Sequence, residues 1–306
     1  MTHIDQLQSI LRATGWSQEQ IARELKTSFP TLNSWVNGRS VPRKSAIEKI
    51  NFLYIQIIGT DAVEGHELAA AKLDAQRLKI TPKALVANKE ALDRLILHLT
   101  YHTNTIEGST MTLADVEGVL FDHKVLSNRT AIEQAEARNH QAALVWLLDT
   151  MVAKGQDFLI TEQLILDLHV RLMNGIISSA GQYRRHAVRI MGSHVPLSNW
   201  QKIPEQIQVF IHGQQSLSKD LILRFAESHA EFEKIHPFSD GNGRTGRLLL
   251  LAQALQAGVV PPLVVRERKQ AYYKYLELAQ TKENYRTLEL FMAQSIRFCG
   301  EVLNLK

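Results

Sequence analysis

The chain is predicted to be all-α, with a small N-terminal helical unit followed by a larger helical body that carries one small β-hairpin. Three observations predict this. From about residue 85 onward, apolar residues recur at three- and four-residue spacing, as in KEALDRLILHL, AIEQAEARNHQAALVWLLDTMV and TEQLILDLHVRLMNGI. Prolines, which would interrupt helices, are scarce: 8 in 306 residues. Strand character is confined to HAVRIMGSHVP, residues 186 to 196, where Val188 and Ile190 alternate with polar neighbours before Gly192.

At 306 residues the chain is long enough for two domains, and 45% hydrophobic with 22% charged residues is ordinary for a globular protein. Apolar runs such as LLLLA after Arg247 fall far short of the ~20 residues that cross a bilayer, and no basic-then-apolar leader opens the sequence. A cytoplasmic protein with no membrane partner is expected. The single cysteine, Cys299, excludes an intrachain disulfide and a multi-cysteine metal site, and reads as a space-filling residue of a helix.

Residues 1 to 50 carry seven Lys/Arg (Arg12, Arg23, Lys26, Arg39, Arg43, Lys44, Lys49) against four acids (Asp5, Glu19, Glu24, Glu48), which is +3 of the chain's net +4. That asymmetry points to nucleic acid at the N-terminus. Within this segment Ser17 and Gln20 have capping-box spacing, ahead of a stripe of Ile21, Ala22 and Leu25. Ser28 can cap a second helix whose first turn tolerates Pro30, with Leu32, Trp35 and Val36 facing inward until Asn37-Gly38 stops it. Two short helices joined tightly make a helix-turn-helix. The spacing and the WVNGRSVP ending resemble the Cro/repressor-like DNA-binding domains. That resemblance implies Ser28, Thr31 and Asn33 at base edges and Gln18, Lys26, Arg39 and Arg43 near phosphates. A plain helical bundle used for dimerisation is the alternative, and a homodimer stays open. Residues 44 to 58, with Ile47, Ile50, Leu53 and Ile57, read as the closing helix, and GTDAVEGHEL as a linker. The expected domains are residues 1–58, a linker and leading helix over 59–94, and a second domain over 95–306. There is no internal repeat.

The densest chemistry lies in IHPFSDGNGRTGRLLL, residues 235 to 250, between two helical patterns. Gly241 and Gly243 allow backbone conformations that aim successive N–H groups into one concavity, and the positive end of the following helix completes an anion site. Arg244 and Arg247, three apart on that helix, can offer forked donors to phosphate oxygens. Asp240 is a hard oxygen ligand suited to Mg²⁺ bridging two phosphates, and His236 is a ready base near pH 7. Phe238 is expected to pack under the loop. A base, a metal ligand and a polyphosphate cradle belong to a nucleotide-consuming transferase.

This string resembles the signature of the Fic family, His-Pro-Phe-x-Asp-Gly-Asn-Gly-Arg-x-x-Arg, with every fixed position filled. The resemblance covers roughly residues 95 to 298. It implies a helical enzyme that binds ATP with Mg²⁺ on Asp240 and transfers AMP to a Ser, Thr or Tyr hydroxyl of a protein, possible self-modification included. His236 is the implied base, with Asn242 and the Gly241 and Gly243 amides stabilising the transferred phosphoryl group. GQYR at 181–184 and VRIMGSHVP at 188–196 are similar to the family's flap, a hairpin that docks the target by strand addition, with Val188, Ile190, His194 and Pro196 on matching positions. RKQAYYKYLELAQ looks like the helix whose aromatics, here Tyr272 and Tyr273, flank the nucleotide; Gln280 stands where many relatives carry Asn, which leaves nucleotide preference open.

Upstream, Thr103-x-x-x-Glu107-Gly108 fits the family's inhibitory helix, placed here at about residues 95–108. The resemblance implies that Glu107 pairs with Arg247 and blocks the seat of the ATP γ-phosphate. Three other functions stay open: removal of AMP from the target, another nucleotidyl or phosphoryl transfer, and a DNA-binding transcriptional regulator whose second domain senses nucleotide.

Overall fold

The computed structural model describes residues 2–58, 63, 65–190, 195–214 and 219–305, and it divides the chain into two compact units, Met1–Leu68 and Ala69–Lys306. The first three helices of the first unit begin where the sequence supplies a cap. α1 (His3–Thr14) starts with a capping box of Thr2 and Asp5 and ends at Gly15, whose φ of 67° suits glycine. α2 (Gln18–Glu24) has the expected box of Ser17 and Gln20, and α3 (Phe29–Val36) is capped by Ser28 with Pro30 in its first turn. α4 (Lys44–Ile58) closes the unit. Leu7 and Ile10 of α1, Ile21 of α2, Leu32 and Trp35 of α3, and Ile50 and Leu53 of α4 form its core. α1, whose box at Thr2 and Asp5 was readable, is an addition to the expected elements.

Of the stretch expected as a linker, residues 59–62 and 64 lie outside the described residues. Gly65 to Leu68 already belong to α5 (Gly65–Arg77), because Glu67-Leu-Ala-Ala-Ala is strong helix-forming sequence. The second unit continues with α6 (Pro82–Ala87), α7 (Lys89–Ile106), α8 (Leu113–Leu120), α9 (Ala131–Lys154), α10 (Glu162–Leu172), α11 (Ile203–Gln214), α12 (Leu221–Ile235), α13 (Asn242–Gln256), α14 (Lys269–Lys282) and α15 (Arg286–Val302). No helix is long and apolar enough to cross a membrane among the described residues.

α13 is the axis of this unit. Its residues from Arg244 to Leu255 are all buried, so its apolar side chains point in every direction instead of forming one stripe. α12 lies along it, with α7, α9 and α10 on other sides. Leu249 and Leu251 meet a core that includes Phe225, Phe232, Leu144 and Leu168. Each fully buried side chain of this kind contributes about 1.5–3 kcal/mol, so the helix that begins with the signature arginines is anchored along its whole length.

The expected β-hairpin is not formed among the described residues. Val188 and Ile190 are extended without a partner strand, Pro196 is exposed coil, and His194 lies outside the described residues. A two-stranded hairpin is marginal on its own, and no third strand is available to support it here. The one β-type pairing among the described residues, an isolated bridge between Lys79 and Val259, lies elsewhere.

Candidate active site

α12 ends at Ile235, and His236 turns the chain with φ 49° and ψ 60°, a left-handed conformation uncommon for a residue with a side chain. What holds it there is Arg184. Its backbone N–H donates to the Pro237 carbonyl at 2.9 Å, and its buried guanidinium donates to the carbonyls of His236 at 2.7 Å, His186 at 2.8 Å, Ser198 at 2.6 Å and Ile235 at 3.4 Å. The last carbonyls of a helix lack intrahelical partners and carry the negative end of its dipole, so a buried cation suits them.

The His236 Nδ1 lies 3.2 Å from the Glu233 carbonyl oxygen, which can only accept, so Nδ1 carries the proton and Nε2 keeps its lone pair. Burial holds the imidazole pKa below its ordinary value, opposed by the Glu233 carbonyl. The ring is therefore neutral at pH 7.

The loop from Pro237 to Gly241 is fixed from beneath. Phe238 is fully buried and stacks on His169 with centroids 3.6 Å apart and planes 2° from parallel. His169 Nδ1 accepts from the Gly181 amide at 2.8 Å, and its Nε2 donates to the Asp240 carbonyl at 2.9 Å. Burial keeps this histidine neutral, with its pKa lowered to about 4. Gly241 caps α13 at φ 80°, and a Cβ there would sit 2.7 Å from the Met173 sulfur, so only glycine fits.

Asn242 departs from its expected role. Its Oδ1 accepts from the Phe238 amide at 2.8 Å and its Nδ2 donates to the Phe238 carbonyl at 2.9 Å, so the side chain staples the loop. Arg244 is also committed elsewhere: buried, it donates to Glu136 of α9 at 2.6 Å, and its Nη2 is 3.5 Å from Asp240 Oδ1. The Asp240 carboxylate accepts from the Gly241 amide and keeps 61% of its side chain exposed.

Glu107 stands at the C-cap of α7, and its Oε1 accepts from Arg247 Nη2 at 2.5 Å. Thr103, one turn earlier, accepts from Arg247 through its hydroxyl at 2.6 Å and its carbonyl at 3.4 Å. The same Glu107 oxygen would collide with a Cβ built on Gly243. A carboxylate thus rests against the first turn of α13, where unpaired N–H groups and the helix dipole favour an anion. Gly108 follows at φ 115° and lets the chain leave the helix.

Tyr272 and Gln280 also depart from expectation. Tyr272 is fully buried and shares a 2.6 Å hydrogen bond with His229 Nε2, while Gln280 Nε2 donates to the Ala230 carbonyl at 2.9 Å. Both side chains fasten α14 to α12, whereas Tyr273 is 38% exposed. In the N-terminal unit, Asn33 Nδ2 donates to Gln18 Oε1 at 2.9 Å, joining α3 to α2 instead of offering its amide to a base edge. Ser28 and Thr31 hydroxyls are 2.7 Å apart, and Lys26, Arg39 and Arg43 are exposed. Arg184, His169 and Glu136 were not singled out by sequence reasoning; the only signal was GQYR, and carbonyl partners leave no mark in sequence.

Residues 159–254 match the model of the Fic/DOC family, and residues 7–51 match a helix-turn-helix model. The protein adenylyltransferase Fic of Aedes aegypti is 30% identical over 213 residues, covering 68% of this chain and 42% of that protein. Its namesake from Nematostella vectensis is 31% identical over 215 residues, covering 68% of this chain and 49% of that protein. The chain thus spans less than half the length of these curated relatives. Fic-1 from C. elegans shares the fold, with a TM-score of 0.67 at 21% identity over 97% of each chain. With the signature complete and its loop, cap and helix laid out as above, the chain belongs to the Fic/DOC family and carries a helix-turn-helix domain at its N-terminus.

Proposed function

We propose that this chain is a protein adenylyltransferase that moves AMP from ATP to a Ser, Thr or Tyr hydroxyl of a protein and is restrained by Glu107. The observation that carries the reading is a neutral histidine base and an anion seat on one short, rigidly held loop, with a carboxylate of the same chain resting in that seat. The name of the curated relatives supports it.

The ATP phosphates would lie on the N-terminus of α13, with Arg247 as the anchor of the terminal phosphate once Glu107 withdraws. His236 Nε2 removes the proton of the target hydroxyl; the oxygen attacks the α-phosphorus, the bond to the β-phosphate oxygen breaks, and pyrophosphate leaves. Backbone N–H groups of α13 stabilise charge on the transferring group, the dominant contribution in phosphoryl chemistry. Mg²⁺ fits the donor set: one exposed carboxylate, Asp240, beside a phosphate seat is what this ion takes when the remaining ligands are phosphate oxygens and water. When bound it would neutralise phosphate charge.

The helix-turn-helix match supports a second role for residues 1–58 in binding DNA, with exposed Lys26, Arg39 and Arg43 at phosphates. The enzyme is tested by incubating Glu107→Gly protein with labelled ATP, GTP, CTP and UTP and whole-cell lysate, then locating label by mass spectrometry. AMP on hydroxyl side chains is expected, lost at least ~100-fold in Glu107→Gly/His236→Ala with ATP binding kept. Label that survives His236→Ala overturns the assignment of the base.

A further inference from the structure

Glu233 has no task in the mechanism above, yet its position is unusual for an acid. It lies on α12, three residues before His236, with only 7% of its surface exposed. Its Oε1 makes no hydrogen bond among the described residues, and its Oε2 is 4.0 Å from His236 Nδ1. On its other side it presses on α13: a Cβ at Gly246 would stand 2.6 Å from Oε1, so glycine there gives the carboxyl its room. A buried carboxyl without a donor costs several kcal/mol if charged, so such a group needs a reason to be where it is.

The charges that face it are Arg247 from α13 and Glu107 from the end of α7, with Tyr272 of α14 close by. Burial pushes the Glu233 pKa up to about 7, Arg247 draws it down, and Glu107 pushes it up again. The imidazole of His236 in turn faces Arg184, Glu107 and Asp240. Glu233 is thus the carboxyl that approaches the ring nitrogen carrying the proton, with its Oε2 4.0 Å away.

We infer that Glu233 is the positioning acid of His236. When Nε2 takes the target's hydroxyl proton, the ring becomes an imidazolium, and its Nδ1–H shifts from the Glu233 backbone carbonyl to the Glu233 carboxylate, which balances the new charge. No proton passes to Glu233. The backbone carbonyl of Glu233 sets the resting tautomer, and the ionised carboxylate raises the basicity of the opposite nitrogen, as an acid paired with a histidine does elsewhere. The inference rests on the assignment of His236 as the base.

The test uses Glu233→Gln, which keeps the shape of the neutral acid and removes its ability to ionise. In Glu107→Gly protein, NMR of labelled histidine, with the His236 signal identified by its loss in His236→Gln, follows the ring through pH. The His236 midpoint is expected to fall by about one pH unit in Glu107→Gly/Glu233→Gln, a tenfold loss of proton affinity. An unchanged midpoint overturns the inference, and because it is read without turnover, it does so whether or not AMP transfer occurs. In the transfer assay the same change should lower kcat ~10- to 100-fold, move the acid limb of the pH profile down, and leave KM for ATP within about twofold. A rise in KM with kcat unchanged would instead make Glu233 part of nucleotide binding and overturn the proposal.

Discussion

Glu107 Oε1 lies 2.5 Å from Arg247 Nη2, and Thr103, one helical turn earlier, holds the same guanidinium through its hydroxyl and its carbonyl. This arginine, inside the buried run of α13, is therefore gripped by the end of α7. Burial disfavours its charge, but the Glu107 carboxylate outweighs that and keeps it protonated.

Removing the acid should free the seat. Glu107→Gly is expected to raise the initial rate of AMP transfer ~10- to 100-fold, the equivalent of roughly 1.4–2.7 kcal/mol. Arg247→Ala should stay inactive, and so should the double variant, because both lack the phosphate anchor. Initial-rate labelling of the four proteins at matched ATP and Mg²⁺ checks this; equal rates for wild type and Glu107→Gly would show the pair to be structural only.

Gly243→Ala separates the lock from the seat. Gly243 is helical, so alanine strains no backbone, but the added methyl would collide with Glu107 Oε1 and reach within 3.0 Å of Arg247 Nη1. It should expel the carboxylate and also crowd the place a phosphate needs. The expected result is weaker ATP binding by calorimetry, no activation, and thermal stability within ~1 kcal/mol of wild type. Activation like that of Glu107→Gly would show that phosphate does not approach this turn.

Acid should unfold the second unit steeply. His102 and His169 are held near pKa 4, and His140 and His229 near 3, by burial first. Each is depressed below the ~6.5 of the unfolded chain, so unfolding takes up protons and stability falls as pH drops below 6.5. Glu233 acts in the opposite sense: raised by burial to about 7, it contributes stability that is full below its ordinary value of 4.5 and is lost as pH rises through about 7. The net uptake near pH 5 should be about three protons, which corresponds to ~4 kcal/mol lost per pH unit. Denaturant melts between pH 4 and 7 measure the slope; a flat profile would mean that these histidines are accessible to protonation in the fold.

For the N-terminal unit, DNA affinity should fall with salt at a log-log slope of ~0.9 per phosphate contact, and Arg39→Ala with Arg43→Ala should weaken all sequences alike. Asn33→Ala should instead destabilise the unit by about 1 kcal/mol through loss of its bond to Gln18, with little change in base preference. Fluorescence anisotropy on fragments recovered by selection, together with thermal melts, reads both. Binding without a salt slope would leave the unit as a protein-interaction module.

Elements announced by local chemistry were readable in advance. Ser17 with Gln20 and Ser28 with Pro30 mark helix starts because a cap is satisfied within four residues of its own position. The loop ahead of α13 and the start of that helix at Gly241 were readable for the same reason, since glycines at fixed spacing determine a short turn. Much of what escaped was decided by which group satisfies a polar side chain. Asn242 and Asn33 look like ligand contacts until the groups that satisfy their amides come into view. Arg184 and His169 serve backbone carbonyls and amides, which any sequence supplies. The strand pattern at Val188 and Ile190 was a local signal that needed a neighbour to become a sheet.

Arg184 ties the carbonyls around His236 firmly, so under the proposed function release of the seat falls to the end of α7. A blocking acid carried on the same polypeptide behaves as a competitor at fixed effective concentration, which for short connections is of millimolar order. It cannot be diluted away or outrun by expression level. Nucleotide would have to match that local concentration to enter productively, so the resting rate would report the ratio of free ATP to a tethered carboxylate, and the protein would read out how tightly its own α7 is held.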